Sequence, residues 1–441
     1  MTKNPEKAFE LIHSLPKYDV KPGLERINFL LSELGNPDRK INSIHIAGSN
    51  GKGSVVAMLS AVTRQDNRVG EFLSPPLRDF SDRIIVDGKP ITRASIVDGA
   101  RVLEGPIRKL KRRGNEPSFF EAVTALAAWH FNREEVDLAL LETGLGGRYD
   151  ATNPVGKTLV SAVTSVDLEH QNILGNSIEE IARELTGIAK PGRPLVIGPS
   201  ENLPESIFKE ECKNKNCKLV KSVDQTKIEI RDFDWDSSKF EVMKSPIKCL
   251  ERDLLEIGLA GNYQKKNLTT AVTILGELRD TDFSVEPDKI KRGLKNATWP
   301  GRFQILEKDP HLLVDGAHNE PAATLLAGEL ERYRSLRPKE GEIKLVFSGL
   351  KDKDLKGMLL AFKPLVQKVY LTELDLPRAT PIRALERWAK QIGMDYRGVR
   401  SPENAIKIAK TEAKPEDLIC VTGSLYLIRE AIGSEPRQEI R

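Results

Sequence analysis

Short apolar runs alternate with segments of helical periodicity along most of the chain. In the first half, residues 52–63 and "FFEAVTALAAWHF" predict helices, and the predicted strands are "SIHIAG", "RVGEFLSP", "VDLALLE" and "LVSAVTSV". Strands that alternate with helices in this way are typical of a mainly parallel sheet with helices on both faces. We therefore predict an α/β fold for this half of the chain.

The pattern changes between about residues 222 and 258. There "KIEIRDFDWDSSKFEVM" alternates apolar and polar positions with a period of two around an Asp-Ser-Ser turn. This alternation predicts a pair of antiparallel strands, and we expect them at one edge of the sheet.

A second α/β rhythm follows "NATWPGRFQIL". Its predicted strands are "HLLVDGAHN", "IKLVFSGL", "KVYLTEL" and "DLICVTGS", and Ser401 followed by Pro402 predicts the start of a helix. Pro300 and Gly301 interrupt regular structure between the two halves. We predict two domains, residues 1–297 and residues 298–441.

Composition narrows the functional classes. Hydrophobic residues make up 39% of the 441 residues and charged residues 30%, as expected for globular domains. The 68 Lys and Arg exceed the 64 Asp and Glu by only four, which argues against nucleic acid as a partner but suits a small polyanionic substrate. The four cysteines show no paired zinc spacing, and neither a signal peptide nor an apolar run of about 18 residues is visible. We expect a cytoplasmic protein with free thiols and no membrane partner.

The stretch "HIAGSNGKGSVVAML" predicts a phosphate-binding loop between a strand and a helix. Its glycines let several backbone N–H groups point at one anion, and the helix adds the positive end of its dipole. Lys52 is suited to the terminal phosphates and the Ser54 hydroxyl to a magnesium ion. The loop departs from G-x-x-x-x-G-K-[ST], because Gly48 lies three residues before Gly51 and Gly53 precedes Ser54. An ordinary Gly-rich turn is the alternative.

Two further polar residues follow predicted strands. Glu142 ends "VDLALLE", and His170 follows "LVSAVTSV" by four residues. At the carboxyl ends of parallel strands both would face the crevice that the phosphate loop faces. The alternatives are a solvated loop carboxylate for Glu142 and a structural histidine for His170.

Taken together, these motifs resemble the folylpolyglutamate synthase and dihydrofolate synthase family, a branch of the Mur ligase superfamily. The resemblance runs in order along nearly the whole chain, through "GLERI", "AGSNGKGS", "SPPLRDFSDRI", "PSFFE", "ETGLGGRYDATN", "WPGRFQIL", "DGAHN", "LKDKD" and "VTGSLY". It implies a P-loop-containing, Mur-ligase-type central domain with a mainly parallel sheet and a smaller Rossmann-like α/β C-terminal domain. It also implies an ATP-dependent ligase that adds L-glutamate to a pterin carboxylate, of dihydropteroate or a reduced folate, through an acyl phosphate.

The resemblance also implies roles for individual residues. Magnesium would be held by Ser74, Glu142 and His170, with Ser54 close by. The catalytic residues would be Lys52, Arg302 and His318. The nucleotide would contact Asn50, Gly51, Lys52, Gly53, Ser54, Asn267, Arg302 and Asp315. The pterin would contact Phe119, Phe120, Glu121, Tyr149, Asp150 and Ala151. Alternatively, the two phenylalanines belong to the core, Asn267 caps a helix, and Arg302 and Asp315 form a surface pair.

The chain departs from the family pattern at three positions. Pro76 and Tyr263 stand where the family has histidine usually or often, and Leu185 stands where it carries a carbamylated lysine. With no lysine at that position, the resemblance implies one firmly bound Mg²⁺ and a weak or absent second cation. We expect a monomer that binds ATP, L-glutamate and the pterin.

Two other functions stay open. A ligase that joins amino acids to a UDP-sugar peptide needs a nucleotide-sugar domain before the phosphate loop, and only 47 residues precede Gly48. A catalytically weak ATP-binding regulator would fit Leu185 and Pro76 but not Lys52 and Glu142.

Overall fold

The computed structural model describes residues 10–17, 23–168, 171–201, 203–334 and 341–433. Two compact units divide the chain. The first comprises Met1–Glu229, Phe240–Glu256 and Gln264–Thr298, and the second Ile230–Lys239, Ile257–Tyr263 and Trp299–Arg441. Two short segments before residue 298 thus group with the second unit. The functional boundary between residues 297 and 298 stays a prediction.

The first unit is built on an eight-stranded sheet of order β4-β3-β2-β5-β1-β6-β7-β8. Its strands are β1 Asn42–Ala47, β2 Val69–Phe72, β3 Ile84–Val86, β4 Lys89–Pro90, β5 Leu138–Glu142, β6 Lys157–Val163, β7 Leu195–Ile197 and β8 Leu219–Lys221. Six neighbouring strands of this sheet run parallel: β2, β5, β1, β6, β7 and β8. At one edge, β3 pairs antiparallel with β2, and β4 pairs antiparallel with β3. The mainly parallel sheet predicted from the apolar runs is confirmed.

Helices connect or flank those strands. They are α1 Glu25–Glu33, α2 Lys52–Thr63, α3 Arg93–Arg112, α4 Phe119–Arg133, α5 Gln171–Leu174, α6 Ile178–Thr186, α7 Glu205–Asn214, α8 Ser222–Gln225, α9 Gln264–Glu277 and α10 Pro287–Lys295. The helix predicted over residues 52–63 is confirmed as α2. Its residues from Ser54 to Thr63 are all buried, as expected for an apolar helix inside an α/β domain.

The predicted edge position of the hairpin is wrong. Strands β9 (Lys227–Phe233) and β10 (Ser238–Lys244) are hydrogen-bonded neighbours, but with β11 (Leu254–Ile257) they form a separate three-stranded sheet. The antiparallel edge of the large sheet is made by β3 and β4 instead. Alternation with period two specifies a strand with one buried face, and it carries no information on which sheet that strand joins.

The second unit contains a six-stranded sheet of order β12-β13-β17-β14-β15-β16. Its strands are β12 Gln304–Lys308, β13 His311–Val314, β14 Ile343–Phe347, β15 Val366–Leu371, β16 Tyr396–Gly398 and β17 Leu418–Thr422. Its helices are α11 Glu320–Arg334, α12 Leu355–Phe362, α13 Ile382–Ile392, α14 Pro402–Glu412 and α15 Leu425–Ile432. Only β12 is antiparallel to its neighbour, so the unit is the smaller Rossmann-like domain expected. Ser401 caps α14 with Pro402 at its first position, as predicted.

The strand order of the large sheet determines which loops meet. β1 lies between β5 and β6, and β2 lies on the far side of β5. The segments that follow these four parallel strands therefore leave the same edge of the sheet, around the point where strand order changes direction. Among the helices of the described residues, none combines the length and the apolar character that crossing a membrane requires.

Candidate active site

The loop after β1 has a backbone that requires glycine at two positions. Gly48 has φ 134° and Gly51 has φ 85°, both in the region that favours glycine. A Cβ at Gly48 would lie 2.2 Å from Thr164 Oγ1, and one at Gly51 would lie 2.2 Å from Asn267 Oδ1. Gly51 is also the N-cap of α2 and has no side chain to cap it. The N–H groups of the first helical turn therefore suit an anion, as the motif predicts.

Two predicted nucleotide contacts lie beside this loop. Lys52 Nζ donates to the carbonyl oxygens of Gly48 at 2.5 Å and Ser49 at 3.3 Å, so its ammonium group lies over the loop. Asn267 lies in the first turn of α9, and its side-chain amide packs against Gly51. Its Nδ2 donates to Gln264 Oε1 at 2.8 Å. The structure thus brings Asn267 to the phosphate loop from a segment more than 200 positions away.

Glu142 and Ser74 meet at the ends of two neighbouring strands. Glu142 is the last residue of β5 and is only 5% exposed, and its Oε2 accepts a hydrogen bond from Ser74 N at 3.2 Å. Arg83 Nη1 donates to Ser74 Oγ at 3.3 Å. Ser54 is buried in the first turn of α2. His170, the remaining predicted metal ligand, lies outside the described residues.

These donors suit a hard cation. A carboxylate and hydroxyl oxygens are the ligands that Mg²⁺ prefers, and it commonly keeps several waters and substrate phosphates as further ligands. Within the described ranges, no three or more His, Cys, Asp or Glu side chains group at metal-binding distance.

The two predicted aromatic contacts occupy different surroundings. The Phe119 ring lies 5.5 Å from His13 and 6.1 Å from Phe80, with Lys17 and Arg83 over its face. This ring is partly buried, and one of its cationic neighbours, Arg83, also donates to Ser74 Oγ.

Phe120 packs inward. Its ring lies 5.6 Å from Phe72, and a Cβ at Gly144 would lie 2.5 Å from its Cζ atom. Phe120 therefore supports the turn that follows Glu142.

Glu121 is held by the fold. Both of its oxygens lie 3.0 Å from Arg26 Nε, and Oε2 also accepts Ser118 N at 2.7 Å. Ser118 Oγ accepts Glu121 N in return, which completes a capping box at the start of α4. Since the Arg26 and Glu121 side chains are 8% and 7% exposed, this is a buried ion pair between α1 and α4.

Asp150 is likewise engaged within the chain. Its Oδ2 accepts the backbone N–H groups of Gly144 and Leu145, each at 2.9 Å, and its Oδ1 accepts the N–H and the hydroxyl of Thr152. Burial raises the pKa of this carboxyl although the four hydrogen bonds oppose the shift. The Asp150 carboxylate thus shapes the turn just after Glu142.

The remaining two predicted pterin contacts differ in exposure. Tyr149 is 53% exposed, whereas Ala151 is buried. Tyr149 is therefore accessible to a ligand, and Ala151 lies within the apolar core.

The second unit gathers its predicted residues in the turn after β13. Asp315 accepts hydrogen bonds from Phe303 N at 2.8 Å, Ala317 N at 2.9 Å and the Tyr263 hydroxyl at 3.4 Å. Burial raises the pKa of Asp315, and the nearby Arg302 guanidinium opposes that shift.

Arg302 and His318 contact the same turn. A Cβ at Gly316 would lie 1.5 Å from Arg302 Nη1, so the guanidinium group lies against this glycine, and His318 Nδ1 lies 2.9 Å from the Gly316 carbonyl oxygen. Arg302, Asp315 and His318 therefore form one cluster, which Tyr263 joins.

Leu185 lies in an apolar cluster of the first unit and is 2% exposed. Lys190, the next lysine along the chain, donates through its Nζ to the backbone and side-chain oxygens of Asn153. Burial and the positive charge of Lys215 lower the pKa of Lys190 to about 8.

The motif-based interpretation missed the segment after β6. The side chains of Thr164, Ser165 and Asp167 hydrogen-bond to Asn50 of the phosphate loop, and the Asp167 backbone N donates to Ser49 Oγ. The signal that identified Glu142, a polar residue just after an apolar strand, also applies to Asp167.

Comparisons with known proteins show which family this chain is similar to. The family model described as Mur ligase, glutamate ligase domain, matches residues 301–425. The dihydrofolate synthase/folylpolyglutamate synthase of Bacillus subtilis is 31% identical over 96% of this chain and 97% of that protein.

Two solved structures are similar over almost the whole chain. Mycobacterium tuberculosis folylpolyglutamate synthase, complexed with ADP and AMPPCP, has a TM-score of 0.86 and 27% identity, with 98% of this chain and 100% of that chain covered. The bifunctional folylpolyglutamate synthase/dihydrofolate synthase of Yersinia pestis, complexed with AMPPNP and Mn ion, has a TM-score of 0.80 and 27% identity, with 98% of each chain covered.

Proposed function

Because the chain belongs to the folylpolyglutamate synthase/dihydrofolate synthase family and is a ligase that uses ATP and a divalent cation, we propose how it joins glutamate to its folate-type substrate. The substrate is a pterin carboxylate, of dihydropteroate or a reduced folate, and it is activated as an acyl phosphate. The observation that carries this proposal is the phosphate loop after β1 beside the buried Glu142 carboxylate at the end of β5.

The chemistry has two steps. A carboxylate oxygen of the pterin attacks the γ-phosphorus of ATP, the bond to the β-phosphate oxygen breaks, and ADP leaves. The glutamate amine then attacks the acyl carbon, phosphate leaves, and the nitrogen loses a proton. Positioning and charge neutralisation provide most of the rate enhancement in such transfers.

The first unit supplies the groups for the transfer. The N–H groups of the first turn of α2 and the Lys52 ammonium group would neutralise the γ-phosphoryl oxygens as charge develops. Glu142, Ser74 and Ser54 would hold Mg²⁺, with His170 as a further ligand. When bound, the ion lowers the electrostatic cost of bringing a carboxylate to a phosphate.

In the second unit, we assign Arg302, Asp315 and His318 to the nucleotide side. Asp315 anchors the turn through the N–H groups of Phe303 and Ala317, which fixes the backbone beneath Arg302. Arg302 would then present a guanidinium group to phosphate oxygens in a fixed place.

Product formation tests the proposal. Purified protein is assayed for phosphate release and for glutamylated product with ATP, Mg²⁺, L-glutamate and, in separate reactions, dihydropteroate or tetrahydrofolate. We expect phosphate release that needs both glutamate and a pterin. ATP binding without ADP formation in any reaction would contradict the proposal and favour a regulatory ATP-binding protein.

A second experiment tests the metal requirement. Leu185 is buried among apolar side chains and has no group to form a carbamate, so we propose one firmly bound Mg²⁺. Activity is then the same in buffer depleted of carbon dioxide and after bicarbonate is restored. Two tightly bound cations with a non-hydrolysable ATP analogue, or rescue by bicarbonate, would contradict this reading.

A further inference from the structure

The segment that follows β6 is bonded to the phosphate loop through Asp167. Asp167 Oδ2 accepts Asn50 Nδ2 at 3.1 Å and Ser165 Oγ at 3.0 Å. The Asp167 backbone N donates to Ser49 Oγ at 3.0 Å, and Ser49 Oγ lies 3.3 Å from the Asp167 carbonyl oxygen. One residue thus contacts two successive loop residues.

Neighbouring residues reinforce this connection. Ser49 N donates to the Ser165 carbonyl oxygen at 3.0 Å, and Asn50 N donates to Ser165 Oγ at 3.0 Å. Thr164 Oγ1 donates to the Asn50 carbonyl oxygen at 2.6 Å. The Ser49 and Asn50 amides are therefore directed at this segment, and the loop amides available to phosphate begin at Gly51.

The charge of Asp167 decides what it does there. A carboxylate repels the phosphates that the loop is built to hold, so direct contact with phosphate would weaken binding. As an acceptor for the Asn50 amide and the Ser165 hydroxyl, the same carboxylate orders the loop instead. A loop ordered in advance binds its ligand more tightly, because less conformational entropy is lost on binding.

We propose that Asp167 is a positioning residue for nucleotide binding, which acts through Asn50 to hold the phosphate loop in its binding shape. The inference rests on the proposed function, since it takes the loop to be the ATP site. It adds a residue from the segment after β6 to the groups that the loop motif itself identifies.

Nucleotide affinity tests the proposal without any pterin chemistry. Calorimetry with Mg²⁺ and AMPPNP gives the dissociation constant for the wild type, Asp167→Ala, Asn50→Ala and the double variant. We expect each single variant to weaken binding about tenfold and the double variant to be no weaker than either, since both remove one interaction. Additive losses, or an unchanged Asp167→Ala, would overturn the proposal.

Two further variants separate positioning from charge and from general damage. Asp167→Asn keeps an acceptor for Asn50 and Ser165, so its affinity stays within about threefold of wild type. Ser200→Ala loses a 3.4 Å contact to the Val166 carbonyl oxygen of the same segment without touching the loop, and it leaves affinity unchanged. An Asp167→Asn variant as weak as Asp167→Ala, with a raised Mg²⁺ requirement, would make Asp167 a metal ligand and overturn the proposal.

Steady-state kinetics supply a readout that a purely structural role would not move. We expect Asp167→Ala to raise the KM for ATP while kcat at saturating ATP stays within about threefold of wild type. Should the Asp167→Ala protein not fold, the Asp167→Asn variant still has to bind nucleotide within about threefold of wild type, and a tenfold loss in that variant would overturn the proposal. Failure of the proposed function would appear as no product in the wild type, with the binding comparison still decisive for Asp167.

Discussion

The phosphate loop and the two segments predicted to contact the pterin, "PSFFE" and "ETGLGGRYDATN" (the pterin-side segments), use their polar groups in opposite ways. In the loop, glycines and the start of α2 present backbone N–H groups, and the Lys52 ammonium group lies over them. In the pterin-side segments, the carboxylates of Glu121 and Asp150 are bound by Arg26 and by backbone amides. A motif whose chemistry lies in the backbone can be interpreted from sequence alone, whereas a carboxylate in a motif can serve either the ligand or the fold.

The largest effect is expected in the loop. Lys52→Ala removes a cation that meets charge developing in the transition state, an interaction worth about 3–4 kcal/mol or roughly 10²–10³ in kcat. The midpoint of thermal unfolding should be nearly the same in Lys52→Ala and the wild type. The measurement is kcat at saturating ATP, with exposed Lys109→Ala as the matched control.

If more than a tenth of the wild-type kcat remained in Lys52→Ala, the loop would not be the site of phosphoryl transfer. The phosphate loop would then not differ from the pterin-side segments by a role in catalysis.

The next effect concerns stability. Arg26→Met leaves the Glu121 carboxylate buried without its cation, which costs about 3–5 kcal/mol in the free energy of unfolding. Urea unfolding of the variant measures this loss. The double variant Arg26→Met/Glu121→Leu should recover most of it, because an apolar pair of similar volume replaces the buried ion pair.

Were Glu121 instead a pterin ligand, Glu121→Leu would raise the KM for the pterin and leave the double-variant cycle additive. In that case the polar groups of the pterin-side segments would bind ligand, as those of the phosphate loop are expected to do, and the two regions would not differ.

Much of the fold follows from local pattern. Apolar runs of strand length separated by amphipathic or apolar helices specified β1, β5 and β6 of the first unit and β13, β14, β15 and β17 of the second, and α2 matched the predicted residues 52–63. The phosphate loop followed from glycine chemistry at Gly48 and Gly51. These features depend on residues close in sequence, where propensity and periodicity carry the information.

The other features depend on pairing between distant segments. The sheet joined by β9 and β10, the Arg26–Glu121 pair and the contact of Asp167 with Asn50 each join residues that no local pattern links. The position of Asp167 just after an apolar strand marks it as a candidate site residue. That it contacts Asn50 could not be predicted, because this depends on β6 lying next to β1 in the sheet. The roles of the site residues therefore stay predictions that the experiments above decide.

A smaller effect is expected at Asp150. Asp150→Asn replaces one acceptor oxygen by an NH₂ donor. That donor would face either the N–H groups of Gly144 and Leu145 or the N–H and hydroxyl of Thr152, which costs about 1–3 kcal/mol in the free energy of unfolding. Because that turn follows Glu142, kcat should fall while the KM for the pterin stays near the wild-type value. A raised KM with unchanged stability would instead make Asp150 a substrate contact.

The last prediction is a pH dependence that comes from Lys190, whose ammonium group is held by Asn153 in the same pterin-side segment as Asp150. Burial, with a contribution from Lys215, lowers its pKa from 10.5 to about 8 in the folded protein. Between pH 8 and 10.5 the unfolded chain therefore binds more protons at this position than the folded chain, so the contribution of Lys190 to the unfolding free energy rises with pH across that window. Lys190→Met lacks this contribution. Urea unfolding of both proteins at pH 7, 8, 9 and 10 should show the wild type gaining stability relative to the variant above pH 8 and no relative change below it. Parallel curves across the whole range would mean that the ammonium group is not held in a buried place, and that the pterin-side segment is less firmly built into the fold than its hydrogen bonds indicate.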